Sequence, residues 1–289
     1  MLRILAGLAG VGIAASVAMG LDRARAERRA DALWRTLEDG RTPDNGRSLA
    51  PDGVEGLRFD PVMVEDLPAP ARRYLLRAIA PGTLLASYVR LELVGSIRLS
   101  REGQAMAMAS EEILAPPRGF VWRARVGRGA MRMHGYDAYT EGEGEMRWWL
   151  LGLVPVVRET GPALARSAAG RMIGEAVLQP AALLPGRGAR WEPVDETRAR
   201  FVVDAGGEEV AVTIEVEPDG RLRRVSIRRW NSDPRNGPVG HLPFVMEDVV
   251  GERTFDGYTI PASFRAGWRL GEKGAFPFFF AQVRDAEYR

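Results

Sequence analysis

The sequence predicts a mainly β protein of the α+β class. We expect one large, curved antiparallel sheet or incomplete β-barrel wrapped around a central helix, preceded by an N-terminal apolar helix. Three observations predict this fold. Residues 4–21 carry no charge. From Tyr88 onward apolar and polar residues alternate with a period of two over most of the chain. A single helix-compatible stretch, residues 160–180, interrupts that pattern without any strand–helix–strand alternation.

Composition supports a packed domain and excludes several classes of site. Of 289 residues, 46% are hydrophobic and 27% are charged, which is ordinary globular usage. The 40 basic residues are nearly matched by 38 acidic ones, so we predict no nucleic-acid partner. The chain has no cysteine, which excludes disulfides, thiolate nucleophiles and cysteine-ligated metals.

The N-terminal segment is a candidate transmembrane anchor or signal peptide, residues 1–21. Its eighteen uncharged residues, 4–21, follow Arg3, and as a helix they would extend roughly 27 Å, close to the thickness of a hydrocarbon core. Ala24, Arg25 and Ala26 have the small-x-small form of a cleavage site. We therefore expect a membrane-anchored protein of the cell envelope. The sequence leaves open which side of the membrane the domain faces and whether the segment is cleaved to give an exported form.

The next segment, residues 22–59, is predicted to be a charged helix followed by a spacer. Leu33, Trp34 and Leu37 share one side of a helix over residues 22–38. Residues 40–56 are rich in Gly, Pro, Asp and Asn, as in a linker. A single antiparallel β domain is then expected over residues 60–289, opening with a short helix over residues 71–80.

The β domain is predicted to contain roughly nine to eleven strands and one principal helix. Before the helix, alternation is clearest at residues 88–94 and 120–126. After it come six further runs: 200–204, 209–216, 221–230, 244–254, 259–268 and 276–286. Pro218, Asp219 and Gly220 mark a hairpin turn between two of them.

An ordered set of motifs spreads across the domain from Leu67 to the C-terminus. The set comprises Leu67-Pro68 with Arg73-Tyr74-Leu75, Gly119-Phe120-Val121-Trp122, Gly135-Tyr136-Asp137 with Tyr139, Arg171 with Glu175, Pro180 and Trp191, and Ile260-Pro261 with Trp268. It resembles an uncharacterised bacterial family of membrane-associated proteins of unknown function, whose sheet looks like that of the Lol-type lipoprotein carriers. The resemblance implies a Lol-like curved sheet, but it identifies no catalytic residue. Met172 departs from the pattern, because relatives have a larger aromatic residue after the arginine.

The candidate ligand-binding residues are Arg171, Glu175, Trp122, Trp148 and Trp149. Arg171 and Glu175 are four residues apart and share a face of the predicted helix. They would form either a buried polar tie between helix and sheet or a contact for a ligand head group. Tryptophans in a curved sheet would line an apolar cavity, unless they only pack the core.

No catalytic constellation stands out. His134 and His241 are the only histidines, and no Gly-x-Ser-x-Gly motif accompanies them. The acidic segment Asp137, Glu141, Glu143 and Glu145 contains two glycines and could bind a divalent cation, but it lacks the calcium-loop spacing, so a solvated turn at a strand end is the favoured interpretation. We predict no metal site and no cofactor.

The sequence therefore favours a membrane-attached, non-enzymatic protein that binds a hydrophobic ligand or a lipidated partner in a concave sheet cavity. Two alternatives remain open: a carboxylate-based enzyme, with or without a divalent cation, and a structural interaction protein of the envelope. The enzyme would require the carboxylates of residues 137–145 to converge in one cleft.

Overall fold

The protein is described by a computed structural model. Its backbone is described over residues 2–40 and 56–289, and its side chains over residues 19–40 and 56–289. Most of the predicted spacer, residues 41–55, lies outside the described residues, as do the side chains of residues 4–18 of the candidate anchor. Among the described residues, we find no helix that is both long and apolar enough to cross a bilayer.

The sheet contains thirteen antiparallel strands. Their bounds are β1 Val89–Ile97, β2 Met106–Ala115, β3 Gly119–Val126, β4 Met133–Thr140, β5 Glu143–Leu150, β6 Val154–Thr160, β7 Arg190–Pro193, β8 Arg198–Ala205, β9 Glu208–Val216, β10 Leu222–Asn231, β11 Gly240–Phe255, β12 Tyr258–Trp268 and β13 Phe276–Tyr288. The spatial order is β6-β5-β4-β3-β2-β1-β13-β12-β11-β10-β9-β8-β7. The first and last strands of the chain's β region, β1 and β13, therefore pair in the middle of the sheet.

The sheet curls around a helix instead of lying flat. The Tyr139 hydroxyl of β4 donates a hydrogen bond of 2.9 Å to the Ala205 carbonyl of β8. These strands are nine steps apart in the sheet order, which in a flat sheet would separate them by roughly 43 Å. The inner face consequently forms an incomplete barrel, as the sequence predicted.

Three α-helices of the described residues accompany the sheet: α1 Leu2–Asp39, α2 Ala69–Ala78 and α3 Pro162–Glu175. Helix α3 lies inside the curled sheet and contacts β4, β5, β9 and β10. Its faces carry mostly alanine, glycine and aliphatic residues, so it can lie close to strands on both sides. Helix α2 packs against β8, β9 and β12.

The second half of α1 packs on the outer face of the sheet. Ala30 and Leu37 are buried there against Ile113, Val121 and Trp149. Arg29 pairs with Glu145 at 2.6 Å. The charged helix predicted over residues 22–38 is thus held by apolar contacts and ion pairs to β2, β3, β4 and β5.

Several predicted elements need correction. The described residues contain thirteen strands and not nine to eleven, because the two edge strands lack a clear alternating pattern. Strand β6 begins inside a continuous apolar stretch, residues 148–157, whose lack of alternation conceals the turn at Leu151 and Gly152. Strand β7 has only four residues. The helix predicted over residues 71–80 begins two residues earlier and ends at Ala78, and α3 ends at Glu175, ahead of two short 3-10 turns.

Candidate functional site

Arg171 lies at the centre of a buried cluster inside the curled sheet. Its three guanidinium nitrogens each donate to a different carboxylate: Nε to Glu175 at 3.0 Å, Nη1 to Asp137 at 3.1 Å and Nη2 to Glu112 at 3.3 Å. The Arg171 side chain is 13% exposed and that of Glu112 is 1% exposed. Arg171 therefore links α3 to β2 and β4 through charge-assisted hydrogen bonds.

The strands supply this cluster through their register. Glu112 of β2 lies directly opposite Trp122 of β3, which lies opposite Asp137 of β4. Directly opposed residues project from the same face, so the three side chains form one row across the inner face. The Arg171 guanidinium carbon lies 4.7 Å from the centroid of the Phe120 ring and 4.9 Å from that of Trp122.

Trp148 completes the inner row. Its indole Nε1 donates to Asp137 at 2.9 Å, and its ring centroid lies 5.7 Å from that of Trp122. The buried Nε1 of Trp122 and Oε2 of Glu175 have no hydrogen-bond partner among the described residues. Four of the five predicted site residues, Arg171, Glu175, Trp122 and Trp148, thus meet at one place.

Trp149 lies on the other side of the sheet. It is 1% exposed and packs in the outer cluster beneath α1, with its ring stacked near His134. The structure does not bring it together with the other four residues, because consecutive residues of a strand project from opposite faces.

The carboxylates around Arg171 outnumber the positive charge. Burial, followed by the charge of Glu175, raises the pKa of Glu112 well above its usual value, against the opposing effect of Arg171. Burial would lower the pKa of Arg171, but its three carboxylate neighbours outweigh that effect and raise it. Burial also raises the pKa of Asp137. The surroundings of Glu112 therefore favour its protonated form more strongly than water does.

Arg229 of β10 is a second arginine on the inner face, and sequence reasoning missed it. Its guanidinium carbon lies 4.9 Å from the Phe244 ring centroid and 5.4 Å from that of Trp268. Its Nε donates to the Ser167 carbonyl of α3 at 2.9 Å. Within the described part of the chain, no carboxylate lies within ion-pair distance of it. Burial and the positive charge of Arg171 lower its pKa to about 10.

The sequence held a signal for this residue. Val225 and Ile227 are buried in the inner core, and Arg229 continues their parity along β10. A charged residue in the inward series of a strand indicates a buried charge that needs a partner.

An opening in the sheet leads to Arg229. Pairing between β9 and β10 ends at Val212 and Ile227, although β9 begins at Glu208 and β10 continues to Asn231. At this divergence lies a pocket of about 630 Å³. Its charged lining comprises four arginines, Arg166, Arg200, Arg228 and Arg229, and two glutamates, Glu208 and Glu209. The excess of positive charge suits an anion.

An aromatic group extends from Arg229 along the inner face. Phe244 contacts Trp268 and Phe278, with centroid separations of 5.0 Å and 6.0 Å. Phe278 leads to Phe279, which in turn lies 6.3 Å from Trp122. Phe244, Phe278 and Phe279 are only partly buried, so this end of the inner face keeps apolar surface beside the arginine.

The acidic segment does not converge. Asp137 faces α3, whereas Glu145 faces α1 and pairs with Arg29 and Arg147. Although burial opposes it, hydrogen bonds from Arg147 and Arg29 lower the pKa of Glu145. Glu143 is 81% exposed. Among the described residues, no group of three or more potential ligands could hold a metal ion, and the cleft that the cation-dependent enzyme required is not formed by this segment.

The fold and the cluster define a curled antiparallel sheet enclosing a helix, tied by one arginine and three carboxylates. The chain belongs to the family of unknown function DUF6544, whose model matches residues 58–281. This confirms the family resemblance seen in the sequence. Among curated proteins, no relative matches the chain.

Several solved structures are distantly similar to this chain. A LolA superfamily protein from Nitrosomonas europaea has 9% identity and a TM-score of 0.40, over 77% of this chain and 94% of that one. A domain from Vibrio parahaemolyticus described as an outer membrane lipoprotein-sorting protein has 9% identity and a TM-score of 0.33, over 70% and 86%. A DUF1329 family protein from Desulfovibrio piger has 12% identity and a TM-score of 0.40, over 70% and 86%.

Proposed function

We propose that this protein is a membrane-attached, non-enzymatic binding protein for an anionic amphiphile, such as a lipid or the lipid part of a lipidated partner. The observation that carries the proposal is Arg229, an arginine between two aromatic rings with no carboxylate partner among the described residues. A partly buried cation without a counter-ion is costly. A ligand carboxylate or phosphate at Arg229 would remove that cost.

The surroundings of Arg229 could bind both the charged head group and the apolar tail of an amphiphile. The pocket at the β9–β10 divergence has an excess of arginine and would admit the head group. The partly buried Phe244, Phe278 and Phe279 would receive the apolar tail.

Arg171 has a structural role and does not bind the head group. All three of its nitrogens already donate to carboxylates, so it ties α3 to the sheet. Arg229, and not Arg171, is therefore the arginine that would bind the ligand head group. Trp122 and Trp148 lie on the same inner face, where Trp122 contacts Phe279. They would contact the far end of the apolar tail.

The test compares two probes and two variants. A fluorescent long-chain carboxylate and its uncharged alcohol analogue are titrated into the full chain, into Arg229→Gln and into Arg223→Gln. Arg223 lies on the same strand and is 63% exposed, so it serves as the matched control. We expect Arg229→Gln to weaken carboxylate binding about tenfold or more, while alcohol binding and the control stay unchanged. Absence of saturable binding by the native chain, or equal loss with both probes, would contradict the proposal.

A further inference from the structure

An exposed apolar hairpin tip lies where α1 leaves the sheet. The tip is the β5–β6 turn with the start of β6, and the neighbouring turn at Met131 adjoins it. Five apolar residues there, Met131, Leu151, Leu153, Val154 and Val156, are between 45% and 57% exposed. Exposed apolar residues that cluster indicate a contact surface, whereas single ones do not.

Direct contacts fix the hairpin tip against α1. Arg23 Nη1 donates to the Gly152 carbonyl at 3.0 Å, and Arg158 Nη2 pairs with Asp22 at 2.6 Å. The Leu151 amide donates to the Arg132 carbonyl at 2.8 Å, which joins the Met131 turn to the same surface. The tip therefore lies beside residues 22 and 23, immediately after the uncharged run 4–21.

The turn itself is built against conformational preference. Leu151 has a φ of 52° and Gly152 a φ of 78°. They are the central residues of a β-turn closed by the Leu153 amide donating to the Leu150 carbonyl, and β-turns with positive φ at both central positions favour Asn-Gly. A leucine there combines an unfavourable backbone with an exposed apolar side chain. Such a residue indicates a function outside the fold.

The exposed apolar residues of the hairpin tip are poorly placed to bind a partner by adding a β-strand to the sheet edge. Strand β6 is an edge of the sheet, but it contains Pro155, and its ladder with β5 is irregular between Trp148 and Trp149. Proline and bulges at an edge oppose pairing with another strand. The apolar side chains need a partner that does not require backbone hydrogen bonds.

We propose that this hairpin tip inserts into the head-group region of an anionic lipid bilayer and sets the orientation of the sheet against the membrane. Four arginines lie beside the apolar residues. Arg23 contacts Gly152 and pairs with Glu27, Arg158 of β6 pairs with Asp22, and Arg128 and Arg132 flank the turn at Met131. Apolar side chains beside an excess of arginine match a bilayer whose surface carries negative charge. Helix α1 is continuous over Leu2–Asp39, so an anchor at residues 4–21 would bring the hairpin tip to the same surface.

This inference depends on the membrane attachment in the proposed function and not on a ligand at Arg229. The native chain has no cysteine, so single-site labelling is specific. Leu153→Cys in the full chain is labelled with an environment-sensitive fluorophore and reconstituted into vesicles of phosphatidylethanolamine and phosphatidylglycerol. Val250→Cys is the control, because Val250 is 66% exposed on β11. Flotation of the vesicles measures attachment separately from label depth.

We expect both labelled proteins to float, with blue-shifted emission at position 153 that is quenched by nitroxide lipids, and aqueous emission at position 250. Leu151→Asn in the Leu153→Cys protein should keep or raise the Tm while reducing that quenching. If the protein floats but the label at position 153 emits as it does in water, the proposed contact between hairpin tip and bilayer is wrong, whereas the membrane attachment is not contradicted. Failure to float would overturn both, and a blue shift without nitroxide quenching would assign the surface to a protein contact instead.

Discussion

The hydroxyl of Tyr139 and the carbonyl of Ala205 lie 2.9 Å apart and join the two arms of the sheet. The β4–β5 turn touches the β8–β9 turn at the same point, since a Cβ on Gly206 would lie 2.7 Å from the Tyr139 hydroxyl and 3.1 Å from Gly142 Cα. This contact closes one end of the incomplete barrel over α3. It leaves the β9–β10 divergence as an opening toward Arg229.

Tyr139→Phe should lower the free energy of unfolding by about 1 to 3 kcal/mol, because it leaves the buried Ala205 carbonyl without its side-chain donor. Chemical denaturation measures the loss. Tyr88→Phe is the control, since Tyr88 is only partly buried and makes no side-chain hydrogen bond to a described residue. Equal stability of the native protein and Tyr139→Phe would show that the closure contributes nothing.

Arg171→Met should destabilise the fold by about 3 to 5 kcal/mol, because the buried Glu112 and the partly buried Asp137 and Glu175 would lose the cation that pairs with all three among the described residues. Arg166→Met is the matched control on the same helix. Arg166 pairs with Glu208 at the surface and is 42% exposed, so its loss should cost about 1 kcal/mol or less. Similar losses for the two variants would refute a special role for the Arg171 cluster.

Glu112→Gln should change how stability depends on pH. Burial and the charge of Glu175 raise the pKa of Glu112 in the folded state, so its stabilising protonated form is lost as pH rises through that value. Glutamine resembles the protonated acid and cannot ionise. The two proteins should therefore have similar Tm values at about pH 5, and Glu112→Gln should be the more stable at about pH 8. A Tm difference that does not change with pH would contradict the raised pKa.

Truncation should locate the boundary between anchor and fold inside α1. A chain beginning at Asp22 retains Ala30 and Leu37, which cover the outer face, and we expect it to fold with nearly native Tm. A chain beginning at Asp60 exposes that apolar surface and should unfold at lower temperature or aggregate.

Point substitutions check the same boundary without removing chain. Leu37→Ala should cost about 2 to 5 kcal/mol, since Leu37 is 1% exposed. Leu21→Ala should have little effect, since Leu21 is 52% exposed. Full stability of the Asp60 chain would place all of α1 outside the fold.

Part of the site could be predicted from local pattern. Arg171 and Glu175 were paired correctly because helical spacing places residues four apart on one face. Trp148 and Trp149 were grouped wrongly, although the period of two already separates neighbouring residues of a strand. Arg229 shares the inward parity of Val225 and Ile227, but a lone arginine near the end of a strand is more often solvent-exposed, so the alternation alone does not single it out.

The sequence by itself determined the class of fold, the central helix, the uncharged N-terminal run and the family, because each depends on periodicity or motif order within short stretches. Only the tertiary structure decided which side chains meet. Arg171 contacts Asp137 and Glu112 across 34 and 59 residues of chain, and Tyr139 contacts Ala205 across 66. These contacts depend on strand register and on how tightly the sheet curls, which accumulate over thirteen strands and leave no local signature in the sequence.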